Sequence, residues 1–82
     1  MRVELSAQAE RDLLDIALYI AADNPDRALS FVDELQQACW GLADRARRYP
    51  VLPGFERQAI RRRPHGRYAI LYAVADDSVQ VL

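Results

Sequence analysis

The sequence contains no lysine, and it has only one cysteine, one histidine and three glycines. Because Cys39 is the single cysteine, an internal disulfide and a cysteine-based zinc cluster are both excluded. No apolar run approaches the roughly 20 residues that span a bilayer. Acidic residues also interrupt the N-terminal stretch, where a secretion signal has its apolar core. We therefore expect a cytoplasmic protein without a membrane segment.

The charges are unevenly divided along a chain of 82 residues, which is long enough for one domain and not for two. Residues 1–44 contain three arginines and nine acidic residues, whereas residues 45–82 contain eight arginines and three acidic residues. The halves therefore carry −6 and +5, which gives the net charge of −1. Either the basic half binds an anionic partner, or the two halves neutralise each other across the fold.

The first 23 residues predict a short strand and a helix. Residues 2–5 alternate polar and apolar side chains, as a strand does. Ser6 suits the N-cap of a helix over residues 7 to about 23, because its hydroxyl can accept a bond from a first-turn amide. Apolar residues recur along this helix at spacings of three and four.

A second helix is predicted from Pro25 to about Arg48. Asn24 suits its N-cap, and proline is well tolerated at the first helical position. The short connection between the helices predicts an antiparallel helical hairpin. Trp40 lies off the apolar stripe, so we expect it at the edge of the core, with a partner surface as the alternative.

From Arg57 onwards the apolar pattern has a period of two, which predicts strands. We expect a strand that carries the arginines, a turn over residues 64–67, and a strand over residues 68–75 that is apolar on both faces and therefore buried on both. A last strand begins at Val79. The order β-α-α-β-β-β predicts an α+β fold, with the helical hairpin packed on a small, mainly antiparallel sheet.

Several segments together resemble the ParE branch of the RelE/ParE superfamily of type II toxins. They are SAQAERDLLDIALYIAADNP, RALSFVDEL, RYPVLPG, the arginine-bearing strand, RYAILYAV and DDSVQVL. No single segment is a strict motif, but their order and spacing are specific, and the resemblance covers essentially the whole chain.

This resemblance implies a small bacterial toxin that a co-expressed antitoxin neutralises in a hetero-oligomer. ParE-like toxins inhibit DNA gyrase, whereas RelE-like relatives cleave mRNA in the ribosome. Relatives also continue beyond the last strand, so the single domain, residues 1–82, is expected to be truncated, with its terminal strand as a bare edge. A third hypothesis follows, that of an inactive relative that only binds antitoxin.

An RNase would need a general base, a general acid and a cation that binds the phosphate. The candidates for this alternative are His65, Arg61 and Arg67, since imidazole titrates near neutral pH and guanidinium pairs with phosphate. We expect His65 to be exposed in the hairpin turn, which argues against catalysis. The sequence also offers no metal site, cofactor loop, Ser–His–Asp arrangement or pair of catalytic carboxylates.

Binding without catalysis is the favoured hypothesis, with gyrase as the target and without sequence-specific contacts to nucleic acid. The predicted target-binding residues are Arg57, Arg61, Arg62, Arg63 and Arg67. Arg62 lies opposite Arg61 and Arg63 in the alternation, so the three should not form one flat patch. We also expect at least one arginine to pair with a helix carboxylate such as Asp12, Asp15 or Asp33.

An antitoxin should cover apolar surface that the small core leaves open, while its acidic residues neutralise the arginines. The predicted antitoxin-binding residues are Leu13, Ile20, Trp40, Tyr68, Tyr72, Val79 and Val81.

Overall fold

The computed structural model describes all 82 residues and contains a four-stranded sheet with two helices packed on one of its faces. The elements in chain order are β1 (Arg2–Leu5), α1 (Ala7–Ala21), α2 (Pro25–Arg45), β2 (Arg61–His65), β3 (Tyr68–Ala75) and β4 (Ser78–Val81). The strand order is β1-β4-β3-β2; β1 and β4 are parallel, and the other neighbours are antiparallel. The predicted α+β fold is confirmed. Neither helix is both long enough and apolar enough to cross a membrane.

Both predicted N-caps are confirmed. The Ser6 hydroxyl accepts a hydrogen bond from the Ala9 amide at 2.9 Å, and the Asn24 side chain accepts one from the Arg27 amide at 3.1 Å. Each bond satisfies an amide that has no partner within its helix. Both helices end two or three residues earlier than predicted, because tight turns intervene. The Arg48 amide, for example, bonds to the Arg45 carbonyl rather than continuing the helical pattern.

The core lies between α2 and the inner face of the sheet, which we define as the face that the helices cover. Leu42, Tyr72 and Val79 are its largest fully buried side chains. The Tyr72 hydroxyl donates to the carbonyl of Ala46, just beyond α2, and burial raises the pKa of this tyrosine, so the hydroxyl keeps its proton. Burial likewise raises the pKa of the Cys39 thiol, which packs as a neutral apolar group.

The expectation that residues 68–75 are buried on both faces is wrong. Ile70 and Tyr72 of β3 face the core, but Ala69, Leu71 and Ala75 are exposed on the outer face. The reason is architectural: both helices precede the hairpin in the chain and pack on the same face, so no element covers the other.

The arginine-bearing strand begins later than predicted. Residues 56–59 form turns, in which Ala59 adopts a left-handed conformation with φ of 53°. Pairing with β3 starts only at Arg61. The strand then continues through Pro64 to His65, and the predicted four-residue turn is a two-residue turn in which Gly66 has φ of 59°. Proline is tolerated here because β2 is an edge strand.

The expectation of a bare edge at the terminal strand is also wrong. β4 lies inside the sheet, between β1 and β3. The register pairs Val3 with Val79 in parallel and Val74 with Val79 in the antiparallel ladder. β1 therefore covers the side of β4 that would otherwise be open.

Candidate binding surfaces

The alternation along β2 sends its cationic side chains to two different faces. Three side chains of β2 are half-buried and face inward: Arg61, Arg63 and His65. Their cross-strand neighbours on the inner face of β3 are Tyr72, Ile70 and Tyr68, respectively. Arg62, by contrast, is exposed and stands opposite Leu71 on the outer face. The prediction that the three consecutive arginines form no single patch is confirmed.

Arg61 is bound to the backbone of its own chain. One of its guanidinium nitrogens, Nη1, donates a hydrogen bond to the Tyr49 carbonyl, in the turn that follows α2. Tyr72 is the cross-strand neighbour of Arg61, and its hydroxyl donates a hydrogen bond to the Ala46 carbonyl in the same segment. Two side chains of the sheet therefore satisfy carbonyls of the helix end and of the turn after it, those of the C-cap residue Ala46 and of Tyr49, which gives Arg61 a structural role.

Arg63 also faces inward, but it is only partly engaged. Its guanidinium carbon lies 5.4 Å from the centre of the Tyr49 ring, within the range of a cation–π contact. Its Nη1 donates to the Pro64 carbonyl at 3.0 Å. No carboxylate lies within salt-bridge distance, so the charge of Arg63 is not compensated by an acid.

The expected ion pair between a hairpin arginine and Asp12, Asp15 or Asp33 does not form. The salt bridges of the structure join Arg2 to Glu4, Arg27 to Glu34 and His65 to Glu34. The acids of the helices therefore do not neutralise the arginines of the hairpin, and the second explanation of the charge asymmetry is wrong for these residues.

Exposed arginines surround β2 and the segment that leads into it. We call this set the basic rim, and its members are Arg47, Arg48, Arg57, Arg62 and Arg67. The Arg62 amide bonds to the Pro50 carbonyl, which places the segment that follows α2 beside the hairpin. Sequence analysis missed Arg47 and Arg48 as site residues. The sequence could have indicated them, because the segment with Pro50 and Pro53 is short and keeps the residues that follow it near the end of α2.

The expectation that His65 is exposed in a turn is wrong. Because β2 includes it, the imidazole points inward, with its ring centre 5.6 Å from that of Phe31. Its Nε2 atom lies 3.5 Å from Oε1 of Glu34. A hydrogen bond from Arg27 lowers the pKa of Glu34, and the bond to His65 contributes further in the same direction.

The three residues of the RNase alternative do not form one pocket. A cleft between α2 and β2 is lined by His65 and Arg63, but neither Arg61 nor Arg67 lines it. Arg61 is occupied by the Tyr49 carbonyl, and Arg67 lies exposed in the hairpin turn. Nor does any group of three or more His, Cys, Asp or Glu side chains come together as a metal site would require.

The predicted antitoxin-binding residues divide by burial. Tyr72, Val79 and Val81 belong to the core, where no partner reaches them while the domain is folded. Leu13, Ile20 and Tyr68 are half-buried, and Trp40, which we expected at the core edge, is 47% exposed.

An apolar groove separates α1 from the first half of β3. It exists because β4 pairs with β3 only from Tyr72 to Ala75, so that residues 68–70, which pair with β2 on one side, have no strand on the side of β4. Leu13, Tyr68 and Leu71 line this groove. Sequence analysis missed a second apolar feature, Leu14 and Leu18, which lie four residues apart on the exposed side of α1.

A protein-family model matches nearly the whole chain. A family model described as "ParE toxin of type II toxin-antitoxin system, parDE" matches residues 3–82, which includes the helical hairpin and the whole β2–β3–β4 region. No curated protein matches the chain.

Proposed function

Because the chain belongs to the ParE toxin family of type II toxin–antitoxin systems, we propose that it inhibits DNA gyrase by binding, in the cytoplasm, until an antitoxin neutralises it. The observation that carries the proposal is the basic rim: five exposed arginines with no carboxylate partner in the chain. Guanidinium groups bind carboxylates and phosphates through paired hydrogen bonds. A target with an anionic surface would therefore supply the acidic partners that these arginines lack within the chain.

Binding accounts for the residues present better than bond cleavage does. The histidine is held between Glu34 and Phe31, and the Tyr72 hydroxyl is bonded inside the core. A general base must reach the proton that it removes, and a general acid the group that it protonates. The exposed cations of the rim can bind a partner but cannot act as general bases at neutral pH, since arginine keeps its charge.

ParE toxins pair with a ParD antitoxin. The exposed apolar surfaces of the chain are the regions to which such an antitoxin would bind. The groove that contains Leu13 and Tyr68 and the exposed Leu14 and Leu18 are covered by nothing in the chain. An antitoxin segment with an apolar face would bury these side chains, and its acids would pair with the rim. Neutralisation then follows from competition for the same arginines that bind the target.

The test is expression of the chain without antitoxin, with gyrase supercoiling and mRNA integrity measured in parallel. We expect supercoiling to be inhibited and mRNA to stay intact. In purified form, the triple variant Arg57→Ala/Arg62→Ala/Arg67→Ala should inhibit about tenfold less, because three charge-assisted contacts are lost.

The control is Arg2→Ala/Arg11→Ala, which removes two exposed arginines near the N-terminus, outside the basic rim, and should leave inhibition unchanged. Cleaved mRNA with unaffected gyrase would contradict the proposal and favour the ribosome-dependent endonuclease. A chain that inhibits neither process but still binds antitoxin would favour the inactive relative.

A further inference from the structure

A polar cleft of about 380 Å³ lies between α2 and β2, on the inner side of the edge strand. On the helix, its lining residues recur at spacings of three and four, so they share one face: Glu34, Gln37, Gly41 and Arg45. Arg63 and His65 form the opposite wall. The groove that contains Leu13 is a separate feature, on the α1 side of the sheet.

Gly41 has no internal reason to be glycine. It lies within α2, does not have a positive φ, and a Cβ atom built on it would meet no atom within 4 Å. Glycine weakens a helix interior relative to alanine. The missing side chain therefore serves nothing within the chain, but it leaves the floor of the cleft open, so that another molecule can approach the helix backbone closely.

The charges of the cleft are divided between its ends. Arg45 and Arg63 form no salt bridge, so one end has two uncompensated cations. The other end has Asp33 and Glu34, and Glu34 is already bonded to Arg27 at 2.7 Å. Positions 34 and 45 are about 16 Å apart along the helix axis.

We propose that this cleft binds an extended peptide segment of the antitoxin, with a carboxylate between Arg45 and Arg63 and a basic side chain near Asp33. The assignment of the segment to the antitoxin rests on the proposed function above. About five residues of extended chain span the distance, at roughly 3.3 Å per residue. The segment crosses Gly41 at its middle, where a larger side chain would block it.

A nucleic-acid strand is less compatible with this cleft. Its charge is negative along the whole length, so phosphates that pair with Arg45 and Arg63 would continue toward Asp33 and Glu34. A peptide can change the sign of its charge within a few residues. The bipolar lining therefore favours peptide over polyanion.

The first test is an NMR titration of the ¹⁵N-labelled full chain with a capped hexapeptide, glutamate at its first position, lysine at its sixth and serine between. We expect saturable shifts at the amides of Gly41, Arg45 and Arg63. A hexapeptide with glutamate at both ends and an oligothymidylate of six nucleotides should each bind at least about fivefold more weakly. Tighter binding of the oligothymidylate, or no shift in the cleft with any probe, would overturn the proposal.

The second test fills the cleft. Gly41→Ala and Gly41→Leu should both raise Tm by a few degrees, roughly 4 °C, because each favours the helix more than glycine does. Gly41→Leu should weaken the hexapeptide about tenfold, and Gly41→Ala much less. A lower Tm for both variants would show that glycine is needed by the fold, and unchanged affinity in Gly41→Leu would show that nothing crosses it; either result would overturn the proposal.

A matched charge pair completes the design. Arg45→Gln should weaken the hexapeptide, whereas Arg11→Gln, at an exposed position of α1 outside both the cleft and the basic rim, should not. Equal effects of the two variants would mean general electrostatic attraction rather than a site. None of these titrations involves gyrase, so a failed supercoiling assay and an empty cleft are distinguishable results.

Discussion

Two sets of arginines in the same hairpin have opposite surroundings. Arg61 and Arg63 face α2, where one bonds to the Tyr49 carbonyl and the other lies over the Tyr49 ring. Arg62 and Arg67 are exposed and have no acidic partner. In a strand, one step along the chain reverses the direction of the side chain. A run of like charges can therefore divide into residues that contact the rest of the fold and residues that lie in solvent.

The largest expected effect comes from removing the inward pair. Arg61→Ala/Arg63→Ala should lower the free energy of unfolding by about 2 kcal/mol, since it removes a charged hydrogen bond to the Tyr49 carbonyl and a cation–π contact. Urea unfolding followed by circular dichroism measures it. Arg62→Ala/Arg67→Ala is the matched control and should change stability by less than about 0.5 kcal/mol. Equal losses in the two double variants would remove the distinction.

Tyr72 sharpens the comparison from the β3 side. Tyr72→Phe removes only the hydroxyl that bonds to the buried Ala46 carbonyl, and we expect a loss of about 1 kcal/mol, or a Tm lower by roughly 4–8 °C. Tyr68→Phe serves as the control, because no hydrogen bond of the Tyr68 hydroxyl is present. A smaller effect at Tyr72 than at Tyr68 would show that the helix end does not depend on this bond.

The Arg27–Glu34 pair provides a pH-dependent contrast with the unpaired arginines. The pKa of Glu34 is lowered, mainly by its hydrogen bond from Arg27. A lowered carboxyl pKa stabilises the fold above the pKa of the unfolded chain, and this contribution disappears as pH falls through the folded pKa. The Tm difference between the native chain and Glu34→Gln should therefore be positive at pH 6 and shrink toward zero in acid. A constant difference would contradict this assignment.

Only a small change in stability is expected at the exposed leucines of α1. Leu14→Ser/Leu18→Ser should alter the free energy of unfolding by less than about 1 kcal/mol, because both side chains are mostly in solvent already. Binding to the antitoxin should nevertheless weaken, which calorimetry can measure. Unchanged affinity would remove this face of α1 from the proposed interface.

Sequence patterns predicted what depends on local chemistry. The caps at Ser6 and Asn24 follow from side chains that reach nearby amides, and the alternation of Arg61, Arg62 and Arg63 follows from strand geometry. Both are confirmed because each involves neighbours within a few residues.

Long-range pairing and exact turn positions could not be predicted in this way. The parallel pairing of β1 with β4 joins residues more than 70 positions apart, and no periodicity reports it. The inward direction of His65 depends on a turn formed by Gly66 and Arg67 alone. The left-handed Ala59, which delays the start of β2, carries no glycine signal. The missing ion pairs with Asp12, Asp15 and Asp33 depend on side-chain placement across the whole fold.

The most direct test of the division between the two sets of arginines is NMR measurement of hydrogen exchange at their guanidinium groups. We predict slowed exchange at Arg61, whose Nη1 is bonded to the Tyr49 carbonyl, and exchange as fast as in a free peptide at Arg57, Arg62 and Arg67. Equal protection of all four guanidinium groups would contradict the account, because the rim would then be engaged within the chain rather than free for a partner.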